Sequence, residues 1–227
     1  LSLRRQRQMC IRDRPYWDKR VDGAEKALDP VNYPGARAIQ GAQVPDVKPQ
    51  PDPSLIAGVF PPIGLNDCMI FLPEAPDAMP GPDCTYGDLE ADTTIVLAGG
   101  SHIEPFIVPL DKLGKEHHFK VATFVRQECP LVVGGPLNPA NDIVSPECAE
   151  WGENAMQEII NLQPDLLVST STRPAGHAGD GRVSADYVPD AYANLWQRLA
   201  ELGIPFVGLR DNLSLIHISE PTRLGMI

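Results

Sequence analysis

From Thr93 onward, short β-branched apolar runs alternate with amphipathic helical segments. This pattern constrains the fold more than any other feature. Thr93-Thr94-Ile95-Val96-Leu97-Ala98 is apolar on both faces and runs into glycines, as strands buried in parallel sheets do. Ile103, Phe106, Ile107, Leu110 and Leu113 then fall at helical spacing up to Lys115. Pro105 is compatible with a first helical turn, whereas Pro109 disturbs the pattern. Phe119–Val125 predicts a second strand, and Glu147–Leu162 a helix with Trp151, Ala155, Ile159 and Leu162 on one stripe. Asp165–Ser169 predicts a third strand. Ala185–Leu202 contains a third helix, with Gly203 as its stop, and Ile204–Leu209 is a fourth strand. Strands alternating with helices predict an α/β fold with a mainly parallel sheet.

The segment 15–92 reads differently. It is rich in Pro, Gly and Asp, and Val44 to Pro53 carries prolines that remove donors and fix φ. It is expected to be an irregular linker or wrapping arm ahead of an α/β domain at 93–212.

Both ends are set aside from fold reasoning. Met9–Arg14 and Leu213–Ile218 can be reverse-translated so that the second DNA string contains the reverse complement of the first. An inverted repeat of this kind resembles the adapters of transposase-based sequencing libraries. Residues 1–14 and 213–227 are therefore expected to be artefactual, and the domain to break off after Asp211-Asn212. The chain has 19 Lys+Arg and 30 Asp+Glu; setting the ends aside leaves 13 against 28, a net charge of −15. That balance argues against nucleic-acid binding, which needs a basic footprint. No apolar stretch is long enough to span a bilayer.

With Cys10 excluded, Cys68, Cys84, Cys129 and Cys148 remain. Four cysteines allow three pairings, and four free thiols are a further option. The spacing suggests two local loops, Cys68–Cys84 and Cys129–Cys148. No CxxC or Cys/His zinc pattern is present, and no metal or cofactor is expected.

Ala98-Gly99-Gly100-Ser101-His102 lies where the first strand meets the first helix. Ligands of open α/β sheets bind beyond the carboxyl ends of the strands. A serine there is exposed beside helix N-terminal amides that can stabilise an oxyanion. The same residues also suit a tight turn whose serine caps the helix. A dinucleotide site is not indicated, because GxGxxG is absent.

The run from Thr94 to His102 resembles the first block of SGNH hydrolases, Gly-Asp-Ser-His. It is most similar to the SGNH domains fused to the C-terminus of acyltransferase-3 membrane proteins. Asp83-Cys84-Thr85-Tyr86-Gly87-Asp88, Glu128-Cys129-Pro130 with Cys148 and Trp151, and Tyr33-Pro34-Gly35-Ala36-Arg37-Ala38 resemble further features of that subgroup. The resemblance implies a three-layer α/β/α, flavodoxin-like fold on the extracytoplasmic side of a membrane, and it favours disulfides. It implies an O-acyltransferase or esterase in which Ser101 is the nucleophile, with Gly100, His102 and Ser171 around the oxyanion and turn. The acyl donor would come from the membrane domain, and the acceptor would be a cell-surface glycan.

The sequence departs from the family at three points. Gly100 stands where Asp is usual. The third-block Asn is replaced by Ser169-Thr170-Ser171-Thr172-Arg173, and the Asp-x-x-His block that carries the base is not found. His217 lies in the excluded end and does not replace that block, so this chain is expected to be inactive. His117-His118 and Glu104 are expected to be solvated or helix-associated, and Trp151 and Trp196 to be core anchors. His177 sits in a Gly-rich loop. The alternatives are a degenerate glycan- or partner-binding domain and a secreted esterase.

Overall fold

A computed structural model describes residues 23, 29–48, 50, 61–72, 74–134, 145–173 and 186–211. The chain divides into two compact units, Leu1–Phe60 and Pro61–Ile227. In the first, Gly35–Gln40 forms a 3-10 helix, and the Tyr33 hydroxyl donates to the Lys48 carbonyl at 3.1 Å.

The second unit is a mainly parallel α/β sheet with helices on both faces. Its elements in order are α1 (Pro62–Leu65), β1 (Met69–Ile70), β2 (Thr85–Gly87), β3 (Thr94–Gly99), a 3-10 turn (Glu104–Phe106) and α2 (Ile107–His117). There follow β4 (Lys120–Arg126), α3 (Pro146–Leu162), β5 (Leu166–Thr170), α4 (Asp190–Leu202) and β6 (Phe206–Leu209). The sheet order is β1-β4-β3-β5-β6, with β2 also on β4. β3, β4, β5 and β6 are mutually parallel where they pair.

Side-chain alternation on β3 separates the layers. Val96 and Ala98 join Trp151, Ala155 and Ile159 of α3 and Leu195 of α4. Leu97 faces the other way, with Ile103, Ile107 and Ile63. Thus α2 covers one face, and α3 and α4 the other. Right-handed crossovers require this when the chain first steps from β3 to β4 and then returns past β3 to β5. Asp165 fixes the register of the central strands: its carboxylate accepts from the Thr94 N–H at 2.8 Å, and its own N–H donates to the Thr94 carbonyl at 2.9 Å.

The predicted helices and strands of the 93–212 region are present, with ends shifted by a few residues. Gly203 caps α4 at φ 69°. The third helix lies within Ala185–Leu202 as expected, as α4 from Asp190 to Leu202. Trp151 is fully buried, and Trp196 packs on the same core.

In the segment 15–92, expected to be a linker or wrapping arm, the described residues include two short edge strands. Residues from Pro61 belong to the second unit, and β1 and β2 lie end to end along the outer edge of β4. Met69 pairs with Val125 in parallel, and Tyr86 with Val121 antiparallel. The Cys68–Cys84 disulfide joins these two edge pieces. Both the N–H and the hydroxyl of Thr123 donate to the Cys84 carbonyl. Two- and three-residue strands leave no alternation to read, so covalent and side-chain ties hold the edge in place of length.

The second disulfide, Cys129–Cys148, ties the loop after β4 to the first turn of α3. Loops of these lengths each stabilise by about 3 kcal/mol in the chain-entropy picture. Of the four-thiol alternatives, the structure forms the two local pairs.

Candidate active site

The sheet reverses direction at β3, whose neighbours are β4 on one side and β5 on the other. That is the switch point at which open α/β sheets bind ligands. β3 ends at Gly99, whose φ of 145° suits glycine. The chain then turns through Gly100-Ser101-His102-Ile103, closed by the Ile103 N–H on the Gly100 carbonyl at 3.0 Å. Ser101 is half-exposed at the crest of this turn. Among the described residues, none hydrogen-bonds its hydroxyl.

Position 100 is shaped by packing. A Cβ on Gly100 would lie 3.3 Å from the Cys129 carbonyl oxygen and 3.4 Å from its carbon. That backbone is held by the disulfide to Cys148 and by the Cys129 N–H on the Arg126 carbonyl at 3.2 Å. The aspartate usual in the resembling motif would fit tightly here, with the Cys129 backbone giving way by a few tenths of an ångström. Gly100→Asp is expected to lower unfolding stability by about 1–3 kcal/mol through overpacking. Urea unfolding would show this as a reduced midpoint; an unchanged or higher midpoint would mean the loop gives way freely.

His102 Nδ1 lies 2.7 Å from Asp211 Oδ1 at the end of β6. The Asp211 N–H donates to Thr172 Oγ1 at 3.0 Å, and the Thr172 hydroxyl reaches Asp186 at 3.4 Å. Asp186 pairs in turn with Arg210. The hydrogen bond to Asp211 raises the His102 pKa above its ordinary value, against partial burial and the nearby Arg173 charge.

A histidine with a raised folded-state pKa contributes stability that is full below its unfolded value, ~6.5, and lost as pH rises through the folded value. The difference in stability between wild type and Asp211→Asn is therefore expected to be larger at pH 5.5 than at pH 8.5. Solvent screening keeps the effect small at this partly exposed ring. Equal differences at both pH values would show that the pair does not titrate on unfolding.

The structure brings Gly100, Ser101 and His102 together on one turn and directs Ser171 elsewhere. The Ser171 hydroxyl donates to the Leu209 carbonyl at 3.0 Å, and its N–H donates to the same oxygen at 2.7 Å. It therefore stitches β5 to β6. In the sequence Ser169 stands out only as part of a hydroxyl-rich strand end. Its buried hydroxyl has no hydrogen-bond partner among the described residues, and it lies 3.4 Å from where a Gly99 Cβ would be, under the turn. Asp211 carried no recognised motif.

Glu104 accepts from the Gly64 N–H at 2.9 Å, and half-burial raises its pKa. His118 pairs with Asp88 at 2.8 Å on the surface. Among the described residues, no cluster of His, Cys, Asp or Glu is arranged to hold a metal. Cys10, His177 and His217 lie outside the described residues.

No curated protein matches the chain. One solved structure it resembles is the periplasmic domain of the lipopolysaccharide acetyltransferase of Salmonella ser. Paratyphi A. The likeness is 17% identity over 54% of this chain and 47% of that one, with a TM-score of 0.35. The chain spans under half of that structure. The family comparison is of another order. A model described as the SGNH domain fused to AT3 domains matches residues 68–219, taking in the edge strands, the Gly-Gly-Ser-His turn and all four paired cysteines. The chain belongs to the family of SGNH domains fused to AT3 domains.

Proposed function

We propose that the chain is the extracytoplasmic domain of a membrane O-acyltransferase and that Ser101 carries the acyl group. The observation that supports this most is the position of Ser101: half-exposed, on the turn after the central strand, at the switch point of the sheet. Two disulfides fit an oxidising compartment. Family SGNH domains are fused to AT3 domains, and in this reading the AT3 domain delivers the acyl donor.

In this reading the Ser101 oxygen attacks the acyl carbonyl, and its proton passes to a base. The donor leaves with a proton, and the acyl group stays on Ser101 as an ester. A glycan hydroxyl then attacks that ester, which moves the acyl group to the sugar and restores the serine. The Ser101 N–H is a natural oxyanion donor. A serine hydroxyl needs an adjacent base, and family likeness assigns that role to an Asp-x-x-His block that this sequence does not match.

The test is trapping. Protein expressed from its complete reading frame is incubated with p-nitrophenyl acetate, digested and analysed by mass spectrometry. Acetylation of the Ser101 peptide supports the reading, and its absence under conditions that acetylate a control serine esterase overturns it. A second reading, a binding domain without turnover, is favoured by the packed glycine at position 100. It predicts glycan binding with no acyl-serine.

A further inference from the structure

We infer that Asp211 is a positioning residue that acts through His102 to hold the Gly100–Ile103 turn, and with it the Ser101 hydroxyl, over the end of β5. The inference rests on the proposed role of Ser101.

The argument begins with strand order. β5 lies between β3 and β6, so the two flanking strands are about 10 Å apart at ordinary strand spacing. His102 leaves the turn after β3, and Asp211 follows β6. Their 2.7 Å contact therefore crosses the carboxyl end of β5, linking residues 109 positions apart. Among the described residues, β3 and β6 are joined by backbone only through β5.

Both ends of the link are anchored. The Asp211 side chain is 6% exposed. A carboxylate this buried needs strong partners, and a charge-assisted bond to an imidazole is one. The Asp211 N–H is fixed on Thr172 Oγ1, and Ser171 fixes the neighbouring Leu209 carbonyl twice. Thr172 continues to Asp186, which Arg210 holds. The charged groups around the ring are thus Asp211 and Arg173, with the Asp186–Arg210 pair behind them.

At the other end, His102 is bonded by the main chain to Ser101. With its ring on Asp211 at 2.7 Å, a shift of the turn at His102 must either stretch that contact or turn the ring about its side-chain bonds. The role inferred for His102 is that of a tether, its Nδ1 being engaged by Asp211.

The experiment compares wild type, Asp211→Asn and Asp211→Ala, all expressed from the complete reading frame. Four readouts are taken: the rate of Ser101 modification by a fluorophosphonate, kcat and KM separately on p-nitrophenyl acetate, amide hydrogen exchange across Gly100–Ile103, and Tm.

Asp211→Ala is expected to slow Ser101 modification about tenfold or more, mainly through kcat, since small misplacements of a reacting atom carry costs of this size. Exchange in the Gly100–Ile103 turn should quicken about tenfold while β4 amides keep their protection. Asp211→Asn keeps an oxygen acceptor and should recover part of the loss. A generally destabilised fold would instead lower Tm and quicken exchange everywhere. Should Asp211→Ala fail to fold, the isosteric Asp211→Asn decides alone: slowed modification with a quickened turn supports the inference.

The inference is overturned if the folded variants match wild type in modification rate and turn exchange. Wild type that is not modified at Ser101 at all overturns both this inference and the role of Ser101. That outcome is distinct from a wild type that reacts alongside variants that react equally well.

Discussion

Gly152→Ala is expected to destabilise the domain, although helix propensity predicts the reverse. In an exposed helix interior the change would stabilise by about 1 kcal/mol. Here α3 passes directly over the loop after β4, and a Cβ on Gly152 would stand 2.1 Å from the Val132 carbonyl oxygen. The atom it meets is backbone, in a segment where Leu131, Val132 and Val133 are all buried. No rotamer can relieve the clash, so the helix or the loop must move. Overpacking of this kind costs about 3 kcal/mol at the upper end of its usual range. The net loss is then about 2 kcal/mol, or roughly 4–8 °C in Tm for a domain of this size. Thermal unfolding checks it. A raised Tm would mean that the helix lies farther from Val132 than the structure places it.

On the proposed role of Ser101, Ser101→Ala in protein expressed from the complete reading frame carries the largest expected effect on activity. Loss of a nucleophile acting in concert with a base lowers turnover by about 10³-fold or more. The fold should scarcely notice the change. Ser101 is half-exposed, and no described residue bonds its hydroxyl, so the stability change should stay within about 0.5 kcal/mol. The pairing of an intact Tm with lost acyl transfer is what separates a catalytic serine from a capping one. Transfer retained within a few-fold would remove Ser101 from the mechanism. Glycan binding that survives in the variant, with no turnover in wild type either, would favour the binding-domain reading.

The strands visible in the sequence are those the sheet buries on both faces. Thr94–Gly99 reads as an apolar run because α2 covers one side of it and α3 and α4 the other. The helices are visible because each buries one stripe, and Gly203 marks the end of α4; the Ser145 cap and Pro146 start of α3 are seen only in the structure. β1 and β2 were illegible. They are two and three residues long, and they are strands only because β4 offers them an edge and Cys68–Cys84 holds them there.

The Gly-Gly-Ser-His turn was legible as chemistry because its residues are contiguous. That glycine fits position 100 because of Cys129 could not be read, since the obstructing backbone arrives from another loop.

The sequence by itself determined the class of fold, the local pairing favoured for its cysteines, and which serine stands at the strand–helix turn. These are local properties of periodicity, spacing and contiguous motif. Only the tertiary structure decided that Ser171 serves β6, that Ser169 lies under the turn, and that Asp211 reaches His102 across the end of β5. Those contacts depend on strand order and register. Such pairings are set by how whole faces pack, and no window along the chain contains them.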